Sequence, residues 1–478
     1  MVREITADTC TPVAAFLRLR KGAQKGFLLE SVEGGERMAR YSFLGTNPSA
    51  TLESRHGAVV RVAADGSRSK LPGHPFYAIG DYLMRYRAVP EKNLPRFSGG
   101  AVGYLAYEMM NRIEPSVRLP GNSTGDAAMM IFPDVVAFDR LRHRMLLIAN
   151  VVCERGASAG NAYRRACDAL DDMAQKLSAP FTERSFLPGP LPSRRASAAP
   201  RPTMSRREFC RNVERIKEHI RAGDTFQTVL SERFEAPLHA EPFSIYRALR
   251  AVNPSPYMFY IGMSEHIALG ASPEMLLRVE DGILETRPIA GTRRRGASDE
   301  EDRMLERQLL ASPKEKAEHL MLVDLGRNDL GRAARSGSVH VPSFMQVERY
   351  SHVMHIVSSV RAKLRPGRNA WDALAACFPA GTVTGAPKIK AMQILSGLEQ
   401  VPRGLYAGSV VYSDFHGNLD SAIAIRSIEI MREGGIQKAF IQAGAGIVAD
   451  SRPEREWQEV CNKAKAMTEA LRLAEEAA

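Results

Sequence analysis

Cysteine is scarce and scattered: the six residues Cys10, Cys153, Cys167, Cys210, Cys377 and Cys461 never fall in a Cys-x-x-Cys pair. That excludes a disulfide framework and a thiolate zinc site, and it suits a reducing compartment. Long apolar runs are missing as well. Nothing approaches the roughly 18 consecutive apolar residues a bilayer span requires, and the opening MVREITADTC lacks the apolar core of a secretory leader. A cytoplasmic protein without membrane association is expected. The charge is not balanced, with a formal net +11, but the excess is dispersed. Local clusters occur at Arg293, Arg294 and Arg295 and at Arg194 and Arg195. No basic stripe interleaved with aromatics and no nucleic-acid motif is present, which argues against a nucleic-acid partner and leaves small polyanions as the ligands a basic chain suits.

What is present divides in two. Residues 179–203 are rich in Pro, Ser and Ala with little periodicity, as in a linker or long surface loop. Residues 1–178 read as a small α+β unit, with strands expected at 39–52, 58–64, 134–139 and 144–152 and a helix at 162–176. Residues 204–478 read as a second, larger α+β unit. Ser205 with Glu208 three positions on opens a helix that ends at Ala222-Gly223. Asp281-Gly282 joins a hairpin, and strands at 405–413, 419–431 and 438–448 form a meander. Helices are expected at 299–321 and 453–475, the second begun by Pro453. Hairpins grouped with flanking helices point to an α+β fold: two packed, mainly antiparallel β-sheets with helices outside, a four-layer α/β/β/α arrangement.

Glu315 and Glu318 are spaced i, i+3 on one expected helix, and Glu456 and Glu459 repeat that spacing on another. Such pairs share a helix face. If the two faces meet, the carboxylates repel unless a hard divalent cation such as Mg²⁺ joins them, leaving coordination positions for an anionic ligand. Glu-x-x-Glu alone is equally a solvated helix face.

The surrounding motifs decide between these. They run GDTFQTVLS (223–231), GASPEMLLR (270–278), TRPIAGTRRRG (286–296), EKAEHLMLVDLGRNDLGR (315–332) and HIVSSV (355–360). FPAGTVTGAPKIKAM (378–392), GLYAGSVVY (404–412), AIAIRS (422–427) and QAGAGIVADSRPEREWQEVCNKAKAM (442–467) follow. This ordered series resembles the chorismate-utilising enzymes, and among them the anthranilate synthase large chains, across 205–467.

The resemblance implies Glu318 and Glu459 as direct Mg²⁺ ligands, with Glu315 and Glu456 acting through water, so that the ion grips the ring carboxylate of chorismate. Glu274 is implied as the general acid that protonates the departing C4 hydroxyl, which needs a carboxyl kept protonated by burial; without the motif it would read as a strand-edge residue. His355, which could equally be a satisfied core histidine, is implied beside the ring. Tyr406 and Arg426 would hold the enolpyruvyl carboxylate. Gly444, Ala445 and Gly446 would let backbone N–H groups approach the substrate, and Gly291 and Thr292 would complete the pocket. Lys463, one turn beyond Glu459, would take a carboxylate or stand solvated. GTVTGAPK lacks the spacing of a phosphate loop and reads as a turn near the site.

Two positions separate relatives. Aminodeoxychorismate synthases typically carry a nucleophilic lysine where this chain has Ala290, and isochorismate and salicylate synthases a water-activating lysine where it has Gln227. Neither is present, so the nucleophile is external, and ammonia fits. No cysteine has the elbow context of a glutaminase nucleophile, which implies a separate glutamine amidotransferase subunit (component II) in a hetero-oligomer. LLES (28–31), RYSFLG (40–45) and NPSPYMFY (253–260) resemble a tryptophan feedback site with Glu30, Ser31, Pro256, Tyr257 and Met258 as contacts, although Tyr257, Phe259 and Tyr260 also suit plain strand core. The rival readings are an aminodeoxychorismate synthase large subunit and a non-catalytic homologue.

Overall fold

The computed structural model describes the chain except residues 24, 33–39, 90, 92, 123, 154–155, 157, 181–198, 351–352, 434 and 478. Most of the expected linker thus lies outside the described residues. Two large sheets dominate. Along the first the strands run Val2–Thr6, Arg144–Ala149, Asp134–Asp139, Tyr41–Thr46, Lys25–Glu30, Tyr257–Met263, His266–Ser272, Ser427–Glu433, Ile436–Ile447, Gln227–Leu238 and Arg201–Pro202. Along the second they run Ile289–Arg294, Val353–Lys363, Ile283–Thr286, Met275–Glu280, Leu419–Ile423, Ser409–Asp414, Gly100–Leu105, Ala127–Phe132, Ala50–Arg55, Ala58–Ala63 and Arg68–Leu71. The neighbouring strands pair antiparallel, as expected. Among the described residues no helix is long and apolar enough to cross a membrane.

Strand alternation builds the layers. Phe27 and Phe43 face the second sheet and pack with Phe97, Met130 and Tyr412, while their neighbours Leu28 and Leu44 face the opposite way, onto helices Pro12–Leu19 and Pro242–Val252. Each buried ring contributes on the order of 2 kcal/mol. The outer face of the second sheet is covered by Tyr77–Leu83, Pro313–Ala333 and Ala370–Cys377 through Ile79, Val323, Leu330 and Trp371. The order helix, sheet, sheet, helix is the expected one.

Both sheets cross the linker boundary. Lys25–Glu30 pairs with Tyr257–Met263, putting Glu30 opposite Met258, and Gly100–Leu105 pairs with Ser409–Asp414. The boundary read from composition therefore separates stretches of sequence and not of sheet.

Three expected elements are divided, each for a local reason. The strand expected at 39–52 is two, one in each sheet, parted where Asn47 adopts φ 56° before Pro48. The helix expected at 299–321 breaks at Ser312, whose side chain caps the next helix by accepting from Glu315 N while Pro313 occupies its first turn. The strand expected at 419–431 is Leu419–Ile423 in one sheet and Ser427–Glu433 in the other, with Arg426 at φ 52° between them. A left-handed non-glycine residue is costly, and this one sits where the chain passes from sheet to sheet.

Candidate active site

One cavity of about 1120 Å³ opens between the ends of strands Gln227–Leu238 and Ile436–Ile447 and helices Pro313–Ala333 and Pro453–Glu476. Its wall includes Gln227, Glu274, Glu318, Tyr406, Arg426, Gly444, Gly446, Glu456, Glu459 and Lys463. These residues are remote in the chain and were each singled out from sequence. All the lining residues come from position 226 onward.

The glycines are explained by contact. Gly444 and Gly446 line the cavity while Ala445 packs into the helix-facing core, so the Ala445 side chain is kept off the wall. A Cβ at 444 would lie 2.6 Å from the Tyr406 hydroxyl, and one at 446 would lie 2.3 Å from Gln227 Nε2. Both distances are shorter than real carbon contacts allow, so these two side chains reach the strand only because it is bare.

Glu274 sits on the cavity wall after Pro273. Burial pushes its carboxyl up to about 7, with the Thr382 hydroxyl and the Lys463 charge opposing the rise. A carboxyl in that range can hold a proton near neutrality and give it up to a leaving group. Arg426 donates from Nη1 to the Lys463 carbonyl at 2.9 Å, and Lys463 Nζ donates to the Gly444 carbonyl at 2.8 Å. Burial lowers the Arg426 guanidinium from its ordinary value and pushes the Tyr406 phenol up to about 12, so the phenol stays a neutral donor. Arg426 and Tyr406 together form a donor pair suited to a carboxylate.

Glu318 and Glu456 are both raised, first by burial and then by like charge: Glu315 and Glu459 act on Glu318, and Glu459 acts on Glu456. Among the described residues no three acidic, histidine or cysteine side chains stand close enough to hold a metal as they are placed. Glu459 instead turns to Lys463 Nζ at 2.7 Å, and Glu315 to Arg293 at 3.5 Å. The donor chemistry nevertheless fits a hard divalent cation: oxygen ligands only, on two helices, in mutual repulsion that a cation relieves.

Other expected residues stand off the cavity wall. Thr292 and His355 face each other on strands Ile289–Arg294 and Val353–Lys363. His355 Nδ1 donates to the Gly291 carbonyl at 2.9 Å and lies 3.1 Å from Thr292 Oγ1. Burial lowers His355, so Nε2 carries a lone pair near neutral pH. Gly291 has φ 63°, and a Cβ there would meet Glu315 Oε2 at 3.0 Å. Of this strand Ile289 reaches the wall.

Wall residues not singled out from sequence include Thr382, Lys314, Asp450, Arg452 and Arg455. Thr382 falls in the GTVTG turn, which could have flagged it. Asp450, Arg452 and Arg455 fall in the 442–467 motif, which could have flagged them, whereas Lys314 lies in what reads as the middle of one long helix.

A second, smaller cavity of about 50 Å³ lies between the sheets. Glu30, Ser31, Pro256, Tyr257 and Met258 all line it, joined by Arg96, Arg278, Tyr412 and Asp420. Glu30 is a buried hub: Tyr246 Oη donates to it at 2.7 Å and Arg250 Nε at 2.9 Å, while Arg140 reaches it at 3.3 Å. Arg278 Nε donates to Asp420 Oδ2 at 2.9 Å, and the Tyr257 hydroxyl lies 3.3 Å from Asp420 Oδ1.

A family model described as chorismate binding enzyme matches residues 25–469. The anthranilate synthase component 1 of Acetivibrio thermocellus is 44% identical over 478 residues, covering 99% of this chain and 95% of that one. That of Pseudomonas aeruginosa is 42% identical over 479 residues, with 99% and 95% covered. The crystal structure of anthranilate synthase component I from Streptococcus pneumoniae TIGR4 superposes with TM-score 0.79 at 34% identity, covering 97% of this chain and 99% of that one. MenF, the menaquinone-specific isochorismate synthase of Escherichia coli, has TM-score 0.72 at 19% identity, covering 98% and 94%, a likeness of fold alone.

Proposed function

We propose, for a chain that belongs to the chorismate binding enzyme family, that it is the large subunit of an anthranilate synthase, converting chorismate and ammonia to anthranilate and pyruvate. The observation that carries this reading is one cavity holding Glu274, Tyr406, Arg426 and three of the four paired glutamates, with Gln227 and Ala290 where relatives of other specificity carry lysine.

Arg426 and the Tyr406 hydroxyl orient the enolpyruvyl carboxylate. Glu274 delivers its proton to the C4 hydroxyl as that group leaves and ammonia adds at C2. Loss of the C2 proton and of pyruvate then gives the aromatic ring. His355, neutral, supports the ring side through the Thr292–Gly291 strand. Mg²⁺ would be held by Glu318 and Glu459, with Glu315 and Glu456 behind them, and would supply Lewis-acid polarisation of the ring carboxylate. A glutamine amidotransferase subunit would provide the ammonia, and tryptophan would bind the inter-sheet cavity as a feedback inhibitor, placing this reaction at the entry to tryptophan biosynthesis. An enzyme of the aminodeoxychorismate type is disfavoured by Ala290.

Purified protein incubated with chorismate, Mg²⁺ and ammonium at alkaline pH should form anthranilate, detected by its fluorescence. Consumption of chorismate to a different product, or none at all, would overturn the assignment.

A further inference from the structure

Arg403 is among the largest side chains buried completely, and no motif drew attention to it. Its Nε and Nη2 donate to the two carboxylate oxygens of Glu399, each at 2.7 Å. The remaining donors reach two backbone carbonyls, Nη1 to Val383 and Nη2 to Val229, both at 2.7 Å. Its guanidinium carbon stands 4.6 Å from the Tyr107 ring centroid and 5.5 Å from that of Tyr406. Its own N–H donates to Glu108 Oε1 at 2.7 Å.

Three of those partners, Val229, Val383 and Tyr406, belong to separate pieces of the active-site wall. Val229 is two residues from Gln227, Val383 follows Thr382, and all four line the cavity, as does Tyr406. Glu399 is fixed in turn, because its Oε1 also accepts from Ser231 N at 3.0 Å and Ser231 Oγ at 2.7 Å. A planar fork that satisfies a carboxylate and two carbonyls at once leaves little freedom. Buried this way, a cation missing any one partner is costly, so the three segments are held in one register.

We propose that Arg403 is a positioning residue for the reaction, setting the Tyr406 ring and the Thr382–Val383 turn against the Gln227 strand so that the Tyr406 hydroxyl meets the substrate carboxylate. This rests on the chorismate reading above. Lysine keeps the charge but loses the fork, so Arg403→Lys should loosen the register without emptying the core.

The test is steady-state kinetics with chorismate, Mg²⁺ and ammonium on Arg403→Lys, Glu399→Gln, Tyr406→Phe and the two doubles with Tyr406→Phe, alongside thermal melting. We expect Arg403→Lys and Glu399→Gln to lower Tm, since each strips a buried ion pair of part of its partnership, and, at temperatures where each variant is still fully folded, to lower kcat/KM about 10- to 100-fold, mostly through KM for chorismate. That loss should shrink to within about twofold when Tyr406 is already Phe. Equal losses in both backgrounds, or a fall in kcat at unchanged KM as a smaller folded fraction would give, would overturn the inference; if the lysine variant does not fold, Glu399→Gln decides. An unaltered chain that makes no anthranilate would sink the functional reading and this inference with it, a result distinct from a fully active Arg403→Lys.

Discussion

The Tyr406 hydroxyl occupies the space that a side chain at Gly444 would need, 2.6 Å from the ideal Cβ position. Gly444→Ala should therefore push the phenol off its place. We expect KM for chorismate to rise about tenfold or more, with kcat less affected, since a misplacement near 1 Å is that expensive. Steady-state kinetics with ammonium as the nitrogen source checks this, and an unchanged KM would remove Tyr406 from substrate binding.

Glu274 is raised to about 7 by burial, so its proton is present below that pH and lost above it. Rates divided by the concentration of free ammonia should fall as pH climbs through about 7, while uncorrected rates stay flatter because ammonia itself increases. Glu274→Gln should cost about 10²- to 10⁴-fold in kcat, the usual range for removing a general acid, and abolish that limb. A Gln variant with wild-type turnover would reassign the acid.

The carboxylate pairs make a separate expectation. Chelating Mg²⁺ should stop anthranilate formation, and adding it back should restore it. Glu318→Gln and Glu459→Gln should each remove the upward shift in Tm that Mg²⁺ gives the parent chain. Retention of that shift in both variants would place the ion elsewhere.

For the inter-sheet cavity, tryptophan should inhibit the ammonia-dependent reaction, and Ser31→Phe should relieve that inhibition by filling space lined by Ser31, Pro256 and Met258, with the uninhibited rate within about twofold. Inhibition curves for the two proteins that superimpose would rule the cavity out as the tryptophan site.

Glu30 lies beside the residues grouped with it by motif, yet its contacts are set elsewhere. The LLES and NPSPYM stretches suggested one shared site, and the pairing of Glu30 with Met258 brings them side by side. Yet the Glu30 carboxylate is already held by Tyr246, Arg250 and Arg140. Two of those three, Tyr246 and Arg250, come from the helix Pro242–Val252, which carries none of the recognised motifs.

Local sequence determined what local physics controls: the i, i+3 glutamate pairs, the hairpin turn at Asp281-Gly282, the capped start at Ser205, and the motif order that carries the family resemblance. Tertiary structure decided the rest. Whether residues 1–178 stand apart or complete both sheets depends on hydrogen bonds between strands more than 200 positions distant, such as Lys25–Glu30 with Tyr257–Met263. Arg403 illustrates the limit. Its carboxylate partner Glu399 is four residues away, but the Val383 and Val229 carbonyls and the Tyr107 ring come from remote segments, and contacts of that kind leave no periodic trace in the sequence around it.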